Sequence, residues 1–268
     1  EISLGLVGSE MSIRDRDSVL ISAGSDRKWV LWDLVSGKSL LSHKGHTSQI
    51  LAASFSPDGR RFATAGSDLF IKIWEYPQGE ELGKLKGHNK PVTTLAFSPD
   101  GKLLASGSQD NQIFLWRLEP EISKTPFRKL EGHSYIVTQV FFSISGKALI
   151  SISKDKTMRL WEVKSGKMLR ILHGDSTPLV AAAISPDGKL IALSNLTNDI
   201  NILTFPTDIP ELQDDTGNVS ASGETDYSAS LQTSESDSDA SDEYGIDLLS
   251  LIHISEPTRP RLISYAVF

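Results

Sequence analysis

A motif that returns about every 42 residues constrains this chain more than any other feature. Trp32, Trp74, Trp116 and Trp161 lie 42, 42 and 45 residues apart, and each follows an aspartate by six residues. Each aspartate in turn follows a serine or threonine by four residues, and a Gly-His pair precedes the motif in three units. A fixed period of this length indicates a repeat architecture in which each unit is one supersecondary element.

Each unit has the pattern of short strands joined by tight turns. Residues 71–74 alternate apolar and polar side chains, which is typical of a strand. Ser-Pro-Asp-Gly at 56–59, 98–101 and 185–188 is turn chemistry, because Pro presets φ at the second position and Gly suits the fourth. Three turns separate four strands per unit, without a helix-length amphipathic stretch. The pattern predicts an all-β chain of four to five blades of a β-propeller, each a four-stranded antiparallel sheet.

Residues 20–205 resemble the WD-repeat (WD40-type) family of β-propellers. The resemblance rests on Gly-His, the hydroxyl residue, the turn aspartate and the tryptophan, which recur together in register. The Trp-Asp pair itself occurs only at Trp32-Asp33, since Glu or Arg follows the later tryptophans. The fifth unit is degenerate, because Leu193 replaces the hydroxyl residue, Thr197 the aspartate and Leu203 the tryptophan.

The resemblance implies that the outer strand of one blade begins the next repeat. Most such rings have seven blades, so five or fewer predict an incomplete, open ring that has lost upstream sequence. The first residue, Glu1, also favours truncation. No strand that could close the ring is expected after Phe205.

The resemblance further implies a hydrogen-bonded relay within each blade. A buried indole N–H needs an acceptor, so the hydroxyl is expected to accept from Trp and to donate to His, which donates to Asp. A nucleophile is exposed and occurs once per site, so three copies favour this structural role over a hydrolase triad. The expected relay residues are Ser22, Asp26, Trp32, His46, Thr64, Asp68, Trp74, His88, Ser106, Asp110, Trp116, His133, Ser151, Asp155 and Trp161.

The resemblance places partner-binding residues on the face that carries the Gly-His loops. The third and fifth residues after His and the residue before the turn aspartate point toward this face, and two further loop residues add apolar and aromatic character. An ordinary solvated rim is the alternative. The expected contact residues are Gln49, Leu51, Leu69, Pro91, Thr93, Gln109, Tyr135, Ile136, Thr138 and Lys154.

Composition narrows the classes of function. The chain has no cysteine, which excludes disulfides, fits a reducing compartment and favours a cytoplasmic or nuclear location. No apolar run is long enough to span a membrane. The histidines outside the relay lack metal-ligand spacing and the glycines form no phosphate-binding fingerprint, so neither a metal nor a cofactor is expected. A net charge of +3 over residues 1–208 is weak evidence for nucleic acid.

The C-terminal part differs from the repeats at 1–205. Residues 206–248 hold 12 acidic residues and no Lys or Arg, which predicts a disordered tail. Ser234 and Ser236 each have an acidic residue three positions on, which predicts phosphorylation by a kinase of the casein-kinase-2 type; a merely solubilising tail is the alternative. Residues 249–268 resemble a translated sequencing-library adapter and are set aside, a native apolar motif being the alternative.

Together these features predict a non-catalytic scaffold that binds proteins or peptides on the Gly-His face, with no small-molecule substrate. Two alternatives stay open. One is the regulatory or substrate-recruiting part of an enzyme or ligase complex whose catalytic domain lies upstream. The other is a propeller associated with chromatin or histones.

Overall fold

A computed structural model describes residues 10–14, 19–174, 177–185, 187–197, 199–204 and 252–253. These residues form 20 strands and no helix, so the described part of the chain contains no helix that could span a membrane. The acidic segment 206–248, with Ser234 and Ser236, lies outside the described residues.

The strands pair in chain order as five antiparallel sheets of four, which confirms the predicted open, incomplete β-propeller. Sheet 1 contains β1 (Glu10–Arg14), β2 (Val19–Ala23), β3 (Trp29–Asp33) and β4 (Ser39–His43). Sheet 2 contains β5 (Ile50–Phe55), β6 (Arg61–Gly66), β7 (Phe70–Glu75) and β8 (Glu81–Lys86). Sheet 3 contains β9 (Val92–Phe97), β10 (Leu103–Ser108), β11 (Ile113–Arg117) and β12 (Arg128–Leu130). Sheet 4 contains β13 (Val137–Phe142), β14 (Ala148–Ser153), β15 (Thr157–Glu162) and β16 (Met168–His173). Sheet 5 contains β17 (Leu179–Ile184), β18 (Leu190–Asn195), β19 (Ile200–Thr204) and β20 (Ile252–His253).

The first strand of each sheet is the innermost. β1, β5, β9, β13 and β17 contact one another in that order, so the sheets stand side by side around a common axis. The fourth strands lie at the periphery, where four of the six side chains of β8 and four of the six of β16 are exposed. Each sheet is thus a blade with a packed inner edge and a solvated outer edge.

The hydrophobic core is divided among the spaces between neighbouring blades. Four clusters of buried apolar residues fill the spaces between sheets 1 and 2, 2 and 3, 3 and 4, and 4 and 5. Trp74, Trp116 and Trp161 are fully or almost fully buried, and each faces the preceding sheet. The repeat therefore builds its core by stacking, because a single sheet cannot cover its own apolar faces.

Two strands lie outside the repeat pattern. β1 pairs with β2 over all five residues, although the motif begins only near residue 20. β20 pairs with β19 at Asn201 and Ile202 and gives sheet 5 a fourth strand, which the sequence after residue 205 did not predict. The edge of a sheet offers backbone N–H and C=O groups to any extended segment, and this pairing requires no motif residue.

Candidate functional site

The Gly-His loops lie at the same end of the sheets as the turns that follow the second strand. In sheet 2 the loop from β4 to β5 brings His46 beside Asp68 in the β6–β7 turn. Gly45 lies against the rings of Trp74 and Trp29, where an added Cβ would come within 2.7 Å of Trp74 Cζ2. Only glycine therefore lets the loop pack onto the indole.

A continuous chain of hydrogen bonds crosses sheet 2 from its core to this end. Trp74 Nε1 donates to Thr64 Oγ1 over 2.8 Å, and Thr64 Oγ1 lies 2.8 Å from His46 Nε2. His46 Nδ1 lies 2.9 Å from Asp68 Oδ2. The carboxylate can only accept, so Nδ1 carries the proton and the Thr64 hydroxyl donates to Nε2.

Sheets 3 and 4 contain the same chain with serine in place of threonine. Trp116 donates to Ser106 over 2.9 Å, and Trp161 donates to Ser151 over 2.8 Å. The histidines lie 2.8 and 2.7 Å from these hydroxyls and 2.9 and 2.8 Å from the aspartates. With the set in sheet 2, three of the four sets predicted from the sequence are thus brought together in full. The residues joined in sheets 3 and 4 are His88, Ser106, Asp110 and Trp116, then His133, Ser151, Asp155 and Trp161.

Sheet 1 contains only half of this hydrogen-bonded relay. Trp32 Nε1 donates to Ser22 Oγ over 2.8 Å, so the inner hydrogen bond is present. Asp26 is exposed and accepts from the backbone N–H of Lys28 instead of from a histidine. Without a Gly-His partner, this aspartate shapes its own turn and bonds to no described residue across the sheet.

The aspartate also holds the Gly-His loop through the backbone. The residue after each histidine donates its N–H to the same carboxylate, at 3.0 Å for Thr47, 3.1 Å for Asn89 and 3.0 Å for Ser134. The carboxylate therefore bonds both the loop and its own turn, since Phe70, Gln112 and Thr157 donate their N–H groups from the other side.

These contacts keep the aspartates ionised. Burial by itself would raise the pKa of Asp68, but the hydrogen bond from His46 and those from backbone N–H groups lower it to about 2. The pKa values of Asp110 and Asp155 are also below the ordinary value: burial opposes the shift, and the hydrogen bonds from His88 and His133 outweigh it.

The arrangement leaves no free nucleophile at the relay. The hydroxyls of Thr64, Ser106 and Ser151 are completely buried. Each hydroxyl accepts from an indole and donates to an imidazole, so it has neither an open approach nor a spare proton. The role of each relay is therefore structural. It fixes the Gly-His loop and the neighbouring turn to the two strands that carry the hydroxyl residue and the tryptophan.

The sequence reasoning missed a second layer of loop contacts. Ser108 Oγ donates to the carbonyl of Pro91 over 2.9 Å, and Ser153 Oγ donates to that of Tyr135 over 3.1 Å. In sheet 5 the corresponding position is Asn195, which is buried and accepts from Thr197 and from the N–H of Asp199. A polar residue two positions after the hydroxyl residue is the sequence feature that would have indicated these contacts.

Two of the predicted contact residues join neighbouring blades. Thr93 Oγ1 donates to the carbonyl of Val137 over 2.5 Å, and Thr138 Oγ1 donates to that of Ile152 over 3.2 Å and lies 3.5 Å from that of Leu179. Both side chains are half-buried. Their hydroxyls therefore bond from one inner strand to the next, which the position in the repeat does not reveal.

The other predicted contact residues line the loop end in differing degrees of exposure. Tyr135 has 55% of its surface exposed, and Lys154 is also exposed. Leu69 has φ of 70°, a left-handed conformation that a leucine adopts with strain. The remaining six are half-buried, namely Gln49, Leu51, Leu69, Pro91, Gln109 and Ile136.

The comparisons with known proteins agree with this geometry. The family model described as WD domain, G-beta repeat, matches residues 37–75, 79–117 and 124–162. Each match begins at or before the outer strand of one blade and ends one residue after the tryptophan of the next, which is the staggered register expected above. No curated protein matches the chain. The chain therefore contains three WD40 repeats between residues 37 and 162.

Proposed function

We propose that this chain is a non-catalytic scaffold that binds a partner protein or peptide on its Gly-His end. WD40 repeats in general support a role in protein interaction, and such domains are generally not catalytic. The observation that carries the proposal is the double anchoring of each loop, because one buried aspartate accepts from both the Gly-His loop and the β-turn beside it.

Rigid loops favour recognition because little conformational entropy is lost when a partner binds them. Here the loop backbones are held by His–Asp and Ser–carbonyl hydrogen bonds, while side chains such as Tyr135 and Lys154 extend from them into solvent. An exposed aromatic ring on a fixed backbone is the kind of residue that anchors an interface.

The test compares two exposed apolar residues at opposite ends of the sheets. Tyr135 lies at the Gly-His end, and Val35, 84% exposed, lies in the β3–β4 turn at the other end. The tagged full chain, Tyr135→Ser and Val35→Ser are each used to capture proteins from an extract of the source cells, with quantitative mass spectrometry of what is retained.

We expect Tyr135→Ser to lose about tenfold or more of at least one captured protein that Val35→Ser retains. Equal capture by all three chains, or a loss confined to Val35→Ser, would contradict the proposal. Thermal unfolding of each variant is the control for the fold, since both positions are exposed and neither substitution should alter it.

A further inference from the structure

The exposed charges at the Gly-His end are mainly basic. Among the described residues, the exposed acids at this end are Asp26, Glu131 and Asp199. The exposed bases are Arg27, Lys28, Lys44, Lys86, Lys90, Lys154 and Lys156. Within the described part of the chain, the ion pairs involve none of these seven cations, so their charges face solvent.

The relay carboxylates do not neutralise this surface at contact distance. The side chains of Asp68, Asp110 and Asp155 have 5%, 4% and 3% of their surface exposed. Their oxygens already accept from imidazole and backbone N–H groups. An approaching group therefore meets lysine ammonium groups before it meets a relay carboxylate.

The opposite end has a smaller excess. Over its described turns, at 33–38, 56–61, 75–81, 98–102, 117–124, 143–147, 162–167, 185 and 187–189, nine exposed bases face seven exposed acids. Arg61 there lies 3.3 Å from Glu119 of the next sheet, so some of its charge is used within the protein. The excess of exposed bases over exposed acids is thus four at the Gly-His end and two at the opposite end.

An apolar side chain lies within the basic surface. Tyr135 is in the loop before β13, where its carbonyl accepts from Ser153, and Lys154 donates its N–H to the carbonyl of the adjacent Ile136. Tyr135 is therefore held beside the turn that carries Lys154 and Lys156. The loop and the turn together offer an aromatic face and two ammonium groups to the same ligand.

We propose that the partner of the Gly-His end is an acidic peptide segment that places an apolar residue against Tyr135 and carboxylates near the lysines. This inference rests on the proposed function and specifies the chemistry of its partner. It disfavours a basic partner such as a histone tail at this end. A nucleic acid is the polyanion that competes with it. The described cations, however, are spread over separate loops, and among the described Phe, Tyr and Trp residues at this end only Tyr135 is well exposed, so there is no series of such rings on which bases could stack.

The experiment measures binding of a fluorescein-labelled peptide of Glu, Asp and Ser with one central Phe to the full chain by fluorescence anisotropy. Lys154→Glu/Lys156→Glu and, separately, Lys86→Glu/Lys90→Glu should each weaken binding by about tenfold. The matched control is Lys38→Glu/Lys124→Glu, which reverses two exposed charges at the opposite end and should leave affinity unchanged. Thermal unfolding shows whether each variant is folded. Because Lys154 and Lys156 flank Asp155, their replacement could lower stability, and the Lys86/Lys90 pair then provides the test.

Several outcomes would overturn the inference. One is no measurable binding of the peptide, and another is an equal loss in the control variant. Tighter binding of labelled single-stranded DNA than of the peptide would identify nucleic acid instead. If replacing the acidic residues of 206–248 by Asn and Gln increased affinity about tenfold or more, the occupant would be this chain's own segment and not a separate partner.

The two proposals can fail separately. If Tyr135→Ser loses a cellular partner while both lysine variants retain it, the Gly-His end is an interaction surface for a partner that is not acidic. If neither Tyr135→Ser nor the lysine variants change what the chain captures, the scaffold proposal fails as well.

Discussion

The three middle sheets and the two flanking sheets share one strand order but fix their loops differently. In sheets 2, 3 and 4 a histidine and an aspartate connect the loop to the core tryptophan. Sheet 1 has only the hydrogen bond from its tryptophan to its serine. In sheet 5, Leu193 and Leu203 replace the hydroxyl residue and the tryptophan, and both pack in the apolar cluster against sheet 4. Strand pairing and apolar stacking are therefore sufficient to form a blade, and the relay adds a fixed loop.

The middle and flanking sheets also differ in how much of their apolar surface is buried. Ala148 and Met158 of sheet 4 are buried against sheet 5, with 0% and 4% of their surface exposed. Leu190 and Ile200 occupy the matching positions of sheet 5 and are 43% and 46% exposed. The face of sheet 5 that turns away from sheet 4 is thus apolar but uncovered by any described residue, and stability should be concentrated in the middle sheets.

Removing a core indole should give the largest contrast between a middle and a flanking sheet. Trp116→Ala should lower the free energy of unfolding by about 3–5 kcal/mol, because Trp116 is completely buried between sheets 2 and 3. Trp32→Ala, at a half-buried indole, should cost about 1–2 kcal/mol. Urea unfolding followed by far-ultraviolet circular dichroism measures both, and equal losses would show that burial in the middle sheets is not what distinguishes them.

Breaking the outer part of a relay should have an intermediate effect. His88→Ala leaves the buried Ser106 hydroxyl without its acceptor and Asp110 without its imidazole donor, so a loss of about 2–3 kcal/mol is expected. Asp26→Asn is the control from sheet 1, where the exposed carboxylate bonds only to a local N–H, and it should cost less than about 0.5 kcal/mol. Similar urea midpoints for the two variants would mean that the histidine adds nothing to the middle sheets.

The relay should also make the middle sheets sensitive to acid. The pKa of Asp68 falls from 3.8 to about 2 in the folded chain, because the His46 and backbone hydrogen bonds outweigh the opposing effect of burial. A carboxyl group with a lowered folded pKa stabilises the fold above its unfolded pKa, and this stabilisation is lost as the pH falls through the folded value. The urea midpoint should therefore decrease between pH about 4 and about 2.

Asp68→Asn tests this source of the pH dependence. The variant should be less stable than the native chain at neutral pH but should lose less further stability on acidification, since the titrating group is gone. Asp26→Asn should retain the native dependence. Parallel curves for the native chain and Asp68→Asn would show that the relay carboxylate does not contribute to acid unfolding.

The fold could be predicted from the sequence because each motif residue has a partner at a fixed separation. Trp74 follows Thr64 by ten residues and Asp68 follows His46 by 22, and both distances repeat in the next two units. The strands β1 and β20 could not be predicted in this way, because their pairing uses the backbone and leaves no side-chain pattern. Such pairing becomes visible only when the edges of β2 and β19 are in place.

The surface was harder to predict because it depends on contacts between blades. The repeat position of Thr93 gives its direction, but not the carbonyl of Val137 that it bonds, which belongs to the next blade. A net charge of +3 for the body likewise conceals an end whose exposed charges are basic, since the relay aspartates are buried beneath it. Sorting the loops by the end at which they lie, and setting the three relay aspartates aside as buried, would have revealed these basic charges from the sequence alone.

The smallest expected effect compares the two turns of sheets 2 and 3 that follow the relay aspartate. Leu69 and Asn111 have φ of 70° and 69°, and asparagine tolerates this left-handed conformation better than leucine. Leu69→Asn should therefore raise the free energy of unfolding by about 0.5–1 kcal/mol, and Asn111→Leu should lower it by a similar amount. If Leu69→Asn were stabilising yet weakened capture of a partner, the strained leucine would be a contact residue whose conformation is retained for binding. A destabilised Leu69→Asn would instead mean that the side chain contributes more to packing at the loop end than its strained backbone costs.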